Sequence, residues 1–135
     1  MQFHHIGIVV KNLEYGKSEI VKFVDIVSIS DEVIDQEIGV KILFITDSKN
    51  IVYELIEPYG RHSPVDGVLS RKKDYLNHIA YSTNFFDNEV VRLRTEGMIP
   101  LSPPKAAKAF NGSKVIFFLT PLGFIIELIE NVIKK

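Results

Sequence analysis

The sequence predicts an α+β fold made of two tandem halves, and three observations support this prediction. His78 follows His5 by 73 positions, and Glu127 follows Glu54 by the same 73 positions. The tetrapeptide ELIE, which begins at Glu54 and again at Glu127, occurs twice, so the chain contains an internal duplication. Each half reads as a strand, a helix and then about three strands. Neither half is large enough to bury both faces of its sheet alone, so we expect the two to pair.

The composition bounds the class of protein. The chain has 135 residues, of which 46% are hydrophobic, and it carries a net charge of −1 and no Cys. We expect a single domain, residues 1–135, with repeats at about 3–57 and 76–130 and a linker at 58–75. The chain has no excess of basic residues that would indicate a nucleic-acid partner. It also has no apolar run long enough to span a membrane. The absence of Cys excludes disulfides and thiolate ligands, and without a signal peptide we expect a cytoplasmic protein.

The elements of the two halves follow from apolar periodicity and turn residues. In the first half we predict a strand at Phe3–Val10, a helix at Leu13–Val24 capped by Asn12, and strands at Asp31–Gln36, Gly39–Thr46 and Ile51–Glu57. In the second half we predict a strand at Leu76–Thr83, a helix at Phe85–Gly97, a loop at 102–110, and strands at Lys114–Thr120 and Phe124–Ile129. The two halves align at a constant offset of 73 residues, and this alignment needs no insertion.

The residues that the repeat keeps point to a metal site. Each half has one His near its start and one Glu near its end, inside apolar runs. A buried carboxylate needs a partner, and two imidazoles with two carboxylates suit one divalent ion. The alternative interpretation is four core residues with satisfied hydrogen bonds. Two register-matched pairs favour the metal, so we predict one Co²⁺, Ni²⁺, Mn²⁺ or Zn²⁺ ion held by His5, Glu54, His78 and Glu127.

Other polar residues fit this site less well. Strand alternation places His4, Glu57 and Glu130 on the opposite face, and we interpret the two Glu residues as surface charges at strand ends. His62 and a basic cluster lie in the linker, which we interpret as solvated rather than as an anion site.

Four segments, HHIGIVV, YELIEP, NHIAYST and FIIELIE, resemble the vicinal oxygen chelate (glyoxalase/bleomycin resistance) superfamily. This resemblance runs from Phe3 to Glu130. It implies paired βαβββ modules that form a cupped mixed sheet around a metal, with ligands on the first and last strand of each module. Those positions are held here by His5, Glu54, His78 and Glu127.

Within the superfamily, the chain is most similar to the methylmalonyl-CoA epimerase branch. The run EIGVK from Glu37 resembles that branch's E-Q-G-V-K, and ELIEP from Glu54 resembles its E-L-L-E-P. This resemblance implies that Glu37 moves a proton beside a carbonyl, with the ligand Glu127 as the next candidate base. The alternative for Glu37 is an exposed Glu on a short strand. The sequence departs from the branch at Asn77, where a His is usual, and at Thr120-Pro121-Leu122, where His-Pro-Lys is usual.

The resemblance implies a metal-dependent isomerase or lyase that abstracts a proton next to a carbonyl and forms a metal-stabilised enolate. The implied substrates are small molecules, namely an acyl-CoA or other thioester, or a hemithioacetal. One alternative is an activity of the lactoylglutathione lyase (glyoxalase I) type. Another is a non-catalytic small-molecule binding protein like those of bleomycin resistance, and an extradiol dioxygenase is disfavoured because a fourth protein ligand occupies a position that oxygen needs. We expect a homodimer.

Overall fold

The computed structural model of the chain describes residues 1–60 and 76–132. Within these residues, ten strands of a mixed sheet and two α-helices confirm the predicted α+β fold. The strands are β1 (Gln2–Val9), β2 (Ile26–Ile29), β3 (Val33–Asp35), β4 (Val40–Asp47), β5 (Val52–Pro58), β6 (Leu76–Thr83), β7 (Ile99–Pro100), β8 (Lys105–Ala106), β9 (Lys114–Leu119) and β10 (Ile125–Glu130). The helices are α1 (Leu13–Ile20) and α2 (Phe86–Thr95). The predictions for the basic cluster and His62 fall on 61–75, outside the described residues.

The N-terminal unit extends from His5 to Asn77. Its strands follow the order β2-β4-β5-β1, and β3 also pairs with β4. Strands β1 and β5 run parallel, with Gly7 opposite Glu54, whereas β4 and β5 are antiparallel, with Phe44 opposite Glu54. Glu54 therefore lies between these two neighbours on one face of the sheet.

The C-terminal unit consists of Met1–His4 and the chain from His78 onward. Its strands follow the order β6-β10-β9-β7, and β8 also pairs with β9. Glu127 lies opposite Ala80 on the parallel strand β6 and opposite Phe117 on the antiparallel strand β9. Each of these three residues is 73 positions beyond its counterpart in the N-terminal unit, so the duplication extends to the pairing register of the strands.

One hairpin breaks the insertion-free alignment of the halves, and there the sequence prediction is wrong. Asp35 pairs with Val40, which leaves residues 36–39 as the turn between β3 and β4. In the second half the Ala107 N–H donates to the Ser113 carbonyl (3.0 Å), so the turn comprises residues 108–112 and is one residue longer. Residues 102–110 share no letter with their counterparts at 29–37, so a comparison of letters alone cannot reveal such a shift.

Helix α1 is shorter than the helix predicted at Leu13–Val24. It ends at Ile20, and the next residues form tighter turns in which Lys22 and Phe23 donate to the carbonyls of Glu19 and Ile20. Val21, which lies within the predicted helix Leu13–Val24, is 57% exposed. The chain leaves the helix early because β2, a strand that the sequence did not predict, begins at Ile26.

Each helix covers one face of its own sheet. In the N-terminal unit α1 packs on β4 and β5, and the buried residues of this core are Leu13, Ile20, Val24, Leu43, Ile45 and Leu55. In the C-terminal unit α2 packs on β9 and β10, and the buried residues are Phe86, Leu93, Ile116, Phe118, Ile126 and Leu128. In both units this face is opposite to the one that carries Glu54 or Glu127, because neighbouring side chains alternate. In the described part of the chain, no helix is long and apolar enough to cross a membrane.

Candidate metal centre

The N-terminal unit contains a buried pair of ligand-type side chains, His5 and Glu54. His5 lies two residues before Gly7, which is opposite Glu54 on the parallel strand, so both side chains are on one face. His5 Nε2 is 3.3 Å from Glu54 Oε1. His5 is fully buried and Glu54 is 3% exposed. A carboxylate so deeply buried requires a proton or a cation beside it, since an isolated buried charge is very costly.

The C-terminal unit contains the equivalent pair, His78 and Glu127. His78 Nε2 is 3.2 Å from Glu127 Oε1, and the two residues are 3% and 4% exposed. The atoms, the spacing and the burial repeat those of the first pair, because the strands that carry them have the same register. The duplication has therefore preserved a local geometry as well as two residue types.

Each imidazole also meets the edge or face of a phenylalanine ring. The ring of His5 is 6.1 Å from that of Phe44 at an interplanar angle of 78°. The ring of His78 is 5.2 Å from that of Phe117 at 80°. Such edge-to-face contacts fix the orientation of a ring. In the sequence Phe44 and Phe117 are visible as repeat partners, but their contact with the histidines depends on the register of β4 and β9.

The donor set of the two pairs fits a divalent metal ion. His5 and Glu54 in one unit, and His78 and Glu127 in the other, are buried side chains of a type that could hold such an ion, each offering one nitrogen or oxygen. A metal takes the place of the proton between a neutral imidazole nitrogen and a carboxylate oxygen. Two carboxylates also balance the charge of a divalent ion, which removes the cost of burying either one alone. Among the described residues, this is the one group of its kind.

Glu37, the predicted proton carrier, is an exposed residue of the turn between β3 and β4. The turn is held by Asp35, whose Oδ1 accepts a hydrogen bond from the Ile38 N–H (3.1 Å). Val40 follows the turn and is four residues along β4 from Phe44, the residue opposite Glu54. At about 3.3 Å per residue, roughly 13 Å of strand separates the turn from the row of Glu54. Glu37 is not part of the ligand group.

The remaining polar residues lie outside the group, as their strand positions predict. Glu57 has a structural contact that the sequence did not reveal, because its Oε1 accepts a hydrogen bond from the first N–H of α1, on Leu13 (2.8 Å). A carboxylate at a helix N-terminus is favourable. Glu130 accepts from the Lys114 N–H (3.3 Å). His4 is half-buried, with its ring edge-on to that of Phe110 at 5.5 Å.

The fold and the donor set define a class of protein with two strand-helix-strand repeats and a nitrogen and oxygen ligand group of the type that binds divalent metals. The family model described as the glyoxalase/bleomycin resistance protein/dioxygenase superfamily matches residues 4–117. The chain therefore belongs to this superfamily, as its sequence predicts. A comparison with curated proteins finds no match.

Solved structures support the same fold. Methylmalonyl-CoA epimerase from Mycobacterium tuberculosis has a TM-score of 0.80 at 20% identity, covering 98% of this chain and 89% of that one. A Streptomyces coelicolor methylmalonyl-CoA epimerase variant, in complex with 2-nitronate-propionyl-CoA, has a TM-score of 0.77 at 21% identity, covering 98% and 99%. A hypothetical protein from Bacillus halodurans has a TM-score of 0.75 at 20% identity, covering 99% and 96%.

Proposed function

We propose that the protein is a metal-dependent isomerase or lyase that moves a proton at the carbon next to a carbonyl, in the manner of an epimerase of 2-substituted acyl thioesters. The observation that carries this proposal is the pair of register-matched, buried His–Glu contacts. The two His–Glu contacts are 3.3 and 3.2 Å long, and packing of an apolar core does not require buried polar pairs of this kind. We infer that both pairs serve one divalent ion, Co²⁺, Ni²⁺, Mn²⁺ or Zn²⁺.

When bound, the ion supplies a Lewis acid that makes the proton next to the substrate carbonyl more acidic. His5 and His78 contribute neutral donors, and Glu54 and Glu127 contribute the two negative charges that offset the charge of the ion. Phe44 and Phe117 restrict the two imidazole rings through their edge-to-face contacts.

We further propose that Glu37 carries the proton. Its carboxylate is exposed, so a proton taken from the substrate exchanges with water before it returns. Glu127 is the next candidate for the base, because it lies in the ligand group itself.

The substrate class that we favour is a 2-substituted acyl thioester such as an acyl-CoA. It is supported by the solved complex of a similar fold with 2-nitronate-propionyl-CoA, a ligand of that protein. Hemithioacetals, the substrates of lactoylglutathione lyase, require the same proton transfer next to a carbonyl and form the second arm of the test. A binding protein without catalysis would exchange no proton in either arm.

Solvent-deuterium exchange tests this function. Metal-loaded protein is incubated in deuterated water with a panel of acyl thioesters and a panel of hemithioacetals. We expect the compounds of one panel to take up deuterium at the acidic carbon next to the carbonyl. Glu37→Gln should keep the metal and lose most of the exchange, since an amide is a poor base. Glu14→Gln, which alters an exposed acid of α1 with 81% side-chain exposure, is the matched control and should exchange normally. The absence of exchange with every compound would refute the enzymatic proposal, and exchange that survives Glu37→Gln would assign the base to another residue.

A further inference from the structure

The C-terminal unit presents a strip of exposed apolar side chains in line with its metal-ligand pair. In one row across the sheet, Ile99 lies opposite Leu119, Leu119 opposite Ile125, and Ile125 opposite His78. Residues that face each other across neighbouring strands project from the same side of the sheet. The row therefore runs from the outer strand β7 to the histidine without a polar side chain.

The adjacent row continues the strip. The Leu101 N–H donates to the Phe117 carbonyl (2.9 Å), and Phe117 lies opposite Glu127. Ile99, Leu101 and Leu119, which we call the apolar strip, are 58%, 50% and 36% exposed. Three large apolar side chains on the face of the ligand pair form a surface whose burial by a ligand is favourable.

The N-terminal unit has a different surface at the corresponding place. There Ser28 lies opposite Thr46, and Thr46 lies opposite Val52. Because Tyr53 lies opposite Ile6 on the parallel strand β1, the preceding residue Val52 is in line with His5. Two hydroxyl side chains thus take the positions that Ile99 and Leu119 have in the other half. The duplication has kept the His–Glu pair and changed its surroundings, so the apolar strip is a feature of the C-terminal unit.

We propose that the apolar strip binds the apolar substituent of the substrate, an alkyl or aryl group attached near the carbonyl. This inference rests on the proposed function. The occupant is assigned by continuity, because the strip adjoins Ile125 and Phe117, the residues opposite His78 and Glu127. A group that contacts the strip therefore belongs to a molecule that reaches the ligand pair.

The test uses straight-chain hydroxamates, from acetohydroxamate to octanohydroxamate, as probes of Co²⁺-loaded protein. Each probe offers two neighbouring oxygens to a metal and differs only in the length of its apolar chain. In the wild type we expect the affinity to rise about fourfold for each methylene that reaches the strip. Leu119→Thr installs the residue found at its counterpart, Thr46, and should reduce this rise while leaving the affinity for acetohydroxamate unchanged.

Val91→Thr is the matched control, because Val91 is an apolar residue with 65% exposure on α2, the helix that packs on the sheet face opposite to the one that carries Glu127. It should behave like the wild type with every probe. If acetohydroxamate binds but chain length has no effect, or if Leu119→Thr keeps the full effect, the apolar strip is not the binding surface. If Co²⁺ binds but no hydroxamate does, this inference is overturned, whereas if Co²⁺ itself does not bind, the proposed function fails. If Leu119→Thr instead converts a wild-type dimer to a monomer in sedimentation equilibrium, a second copy covers the strip and the assignment is overturned.

Discussion

At the scale of single residues, the depth at which the histidines lie limits what they can do. His5 is fully buried and His78 is 3% exposed, so neither can exchange a proton freely with bulk water. Each instead faces a carboxylate oxygen at 3.2–3.3 Å. This arrangement suits a ligand better than an acid or base, which is why we assign proton transfer to the exposed Glu37.

A buried hydroxyl gives a prediction about stability at this scale. Thr120 is 7% exposed, and within the described part of the chain its Oγ1 has no hydrogen-bond partner. Thr120→Val keeps the shape and removes a desolvated polar atom, so the free energy of unfolding should rise by about 1 kcal/mol. Thr83→Val is the matched control and should be destabilising, because Thr83 Oγ1 accepts from the Phe85 N–H at 3.0 Å. Chemical denaturation of the two variants measures both effects, and a loss of stability in Thr120→Val would contradict the prediction.

The two buried His–Glu pairs were predictable from the sequence, whereas the contacts of Phe44 and Glu57 were not. A His or Glu that recurs at a fixed distance in an apolar strand is unusual enough to be found by inspection. The contact of Phe44 with His5, and that of Glu57 with α1, depend on which strands are neighbours and in what register. Phe and Glu are common in strands, so their presence carries no such information.

At the scale of elements, long apolar segments were predicted well and edge segments poorly. The strand at Leu76–Thr83 was predicted with its bounds, because it is flanked by clear breaks in apolar periodicity. Strand β2, at the sheet edge, was not predicted. Most of its residues are exposed, and its sequence, IVSI, shows no alternation of apolar and polar residues. Helix α1 was predicted too long because Val24 belongs to the core although the helix has ended at Ile20.

Helix α2 carries an ion pair that predicts a pH dependence. Arg92 donates to Glu89 one turn earlier (2.6 Å), and this hydrogen bond lowers the pKa of Glu89 below its ordinary value of 4.5. A carboxylate whose folded pKa is lowered stabilises the protein above its ordinary pKa, and this contribution is lost as the pH falls through the folded value.

We therefore expect Glu89→Gln to flatten part of the decline in stability below about pH 4.5, as measured by urea denaturation across the acid range. The effect should be small and should shrink at high salt, because the side chains of Arg92 and Glu89 are 49% and 21% exposed. Glu96→Gln, the same chemical change just after α2, is the control. If Glu89→Gln at low salt leaves the decline in the free energy of unfolding at acid pH unchanged, the Arg92–Glu89 pair contributes nothing to stability.

At the scale of the whole molecule, duplication explains why so short a chain carries two matched, buried His–Glu pairs. One ancestral half supplied a His and a Glu on neighbouring parallel strands, and a second copy doubled the set. The pairing register of Glu54 and Glu127 is the same, and their surroundings have diverged at Ser28 and Ile99. The sequence predicted the first fact from letter identity, but the second appears only when β2 and β7 are placed at the edges of their units.

We predict a homodimer, because family resemblance and the small size of the chain favour one and apolar side chains remain exposed. Phe23 and Val27 are 74% and 67% exposed near the edge strand β2. Exposed apolar surface of this kind is commonly covered by a second copy. Sedimentation equilibrium at micromolar concentration should give twice the mass of the 15.4 kDa chain. A strictly monomeric species would refute the dimer.

The central claim, that both His–Glu pairs hold one ion, is tested most directly by counting the metal. Titration of metal-free protein with Co²⁺, followed by calorimetry and elemental analysis, should give one ion per chain. Glu54→Ala and Glu127→Ala should each weaken that single site, because removal of a carboxylate from either pair affects the same ion. Glu14→Ala, on α1, is the control and should leave both stoichiometry and affinity unchanged. Two ions per chain, with each variant losing one and keeping the other, would contradict a shared centre, and unchanged affinity in Glu127→Ala would remove that residue from it.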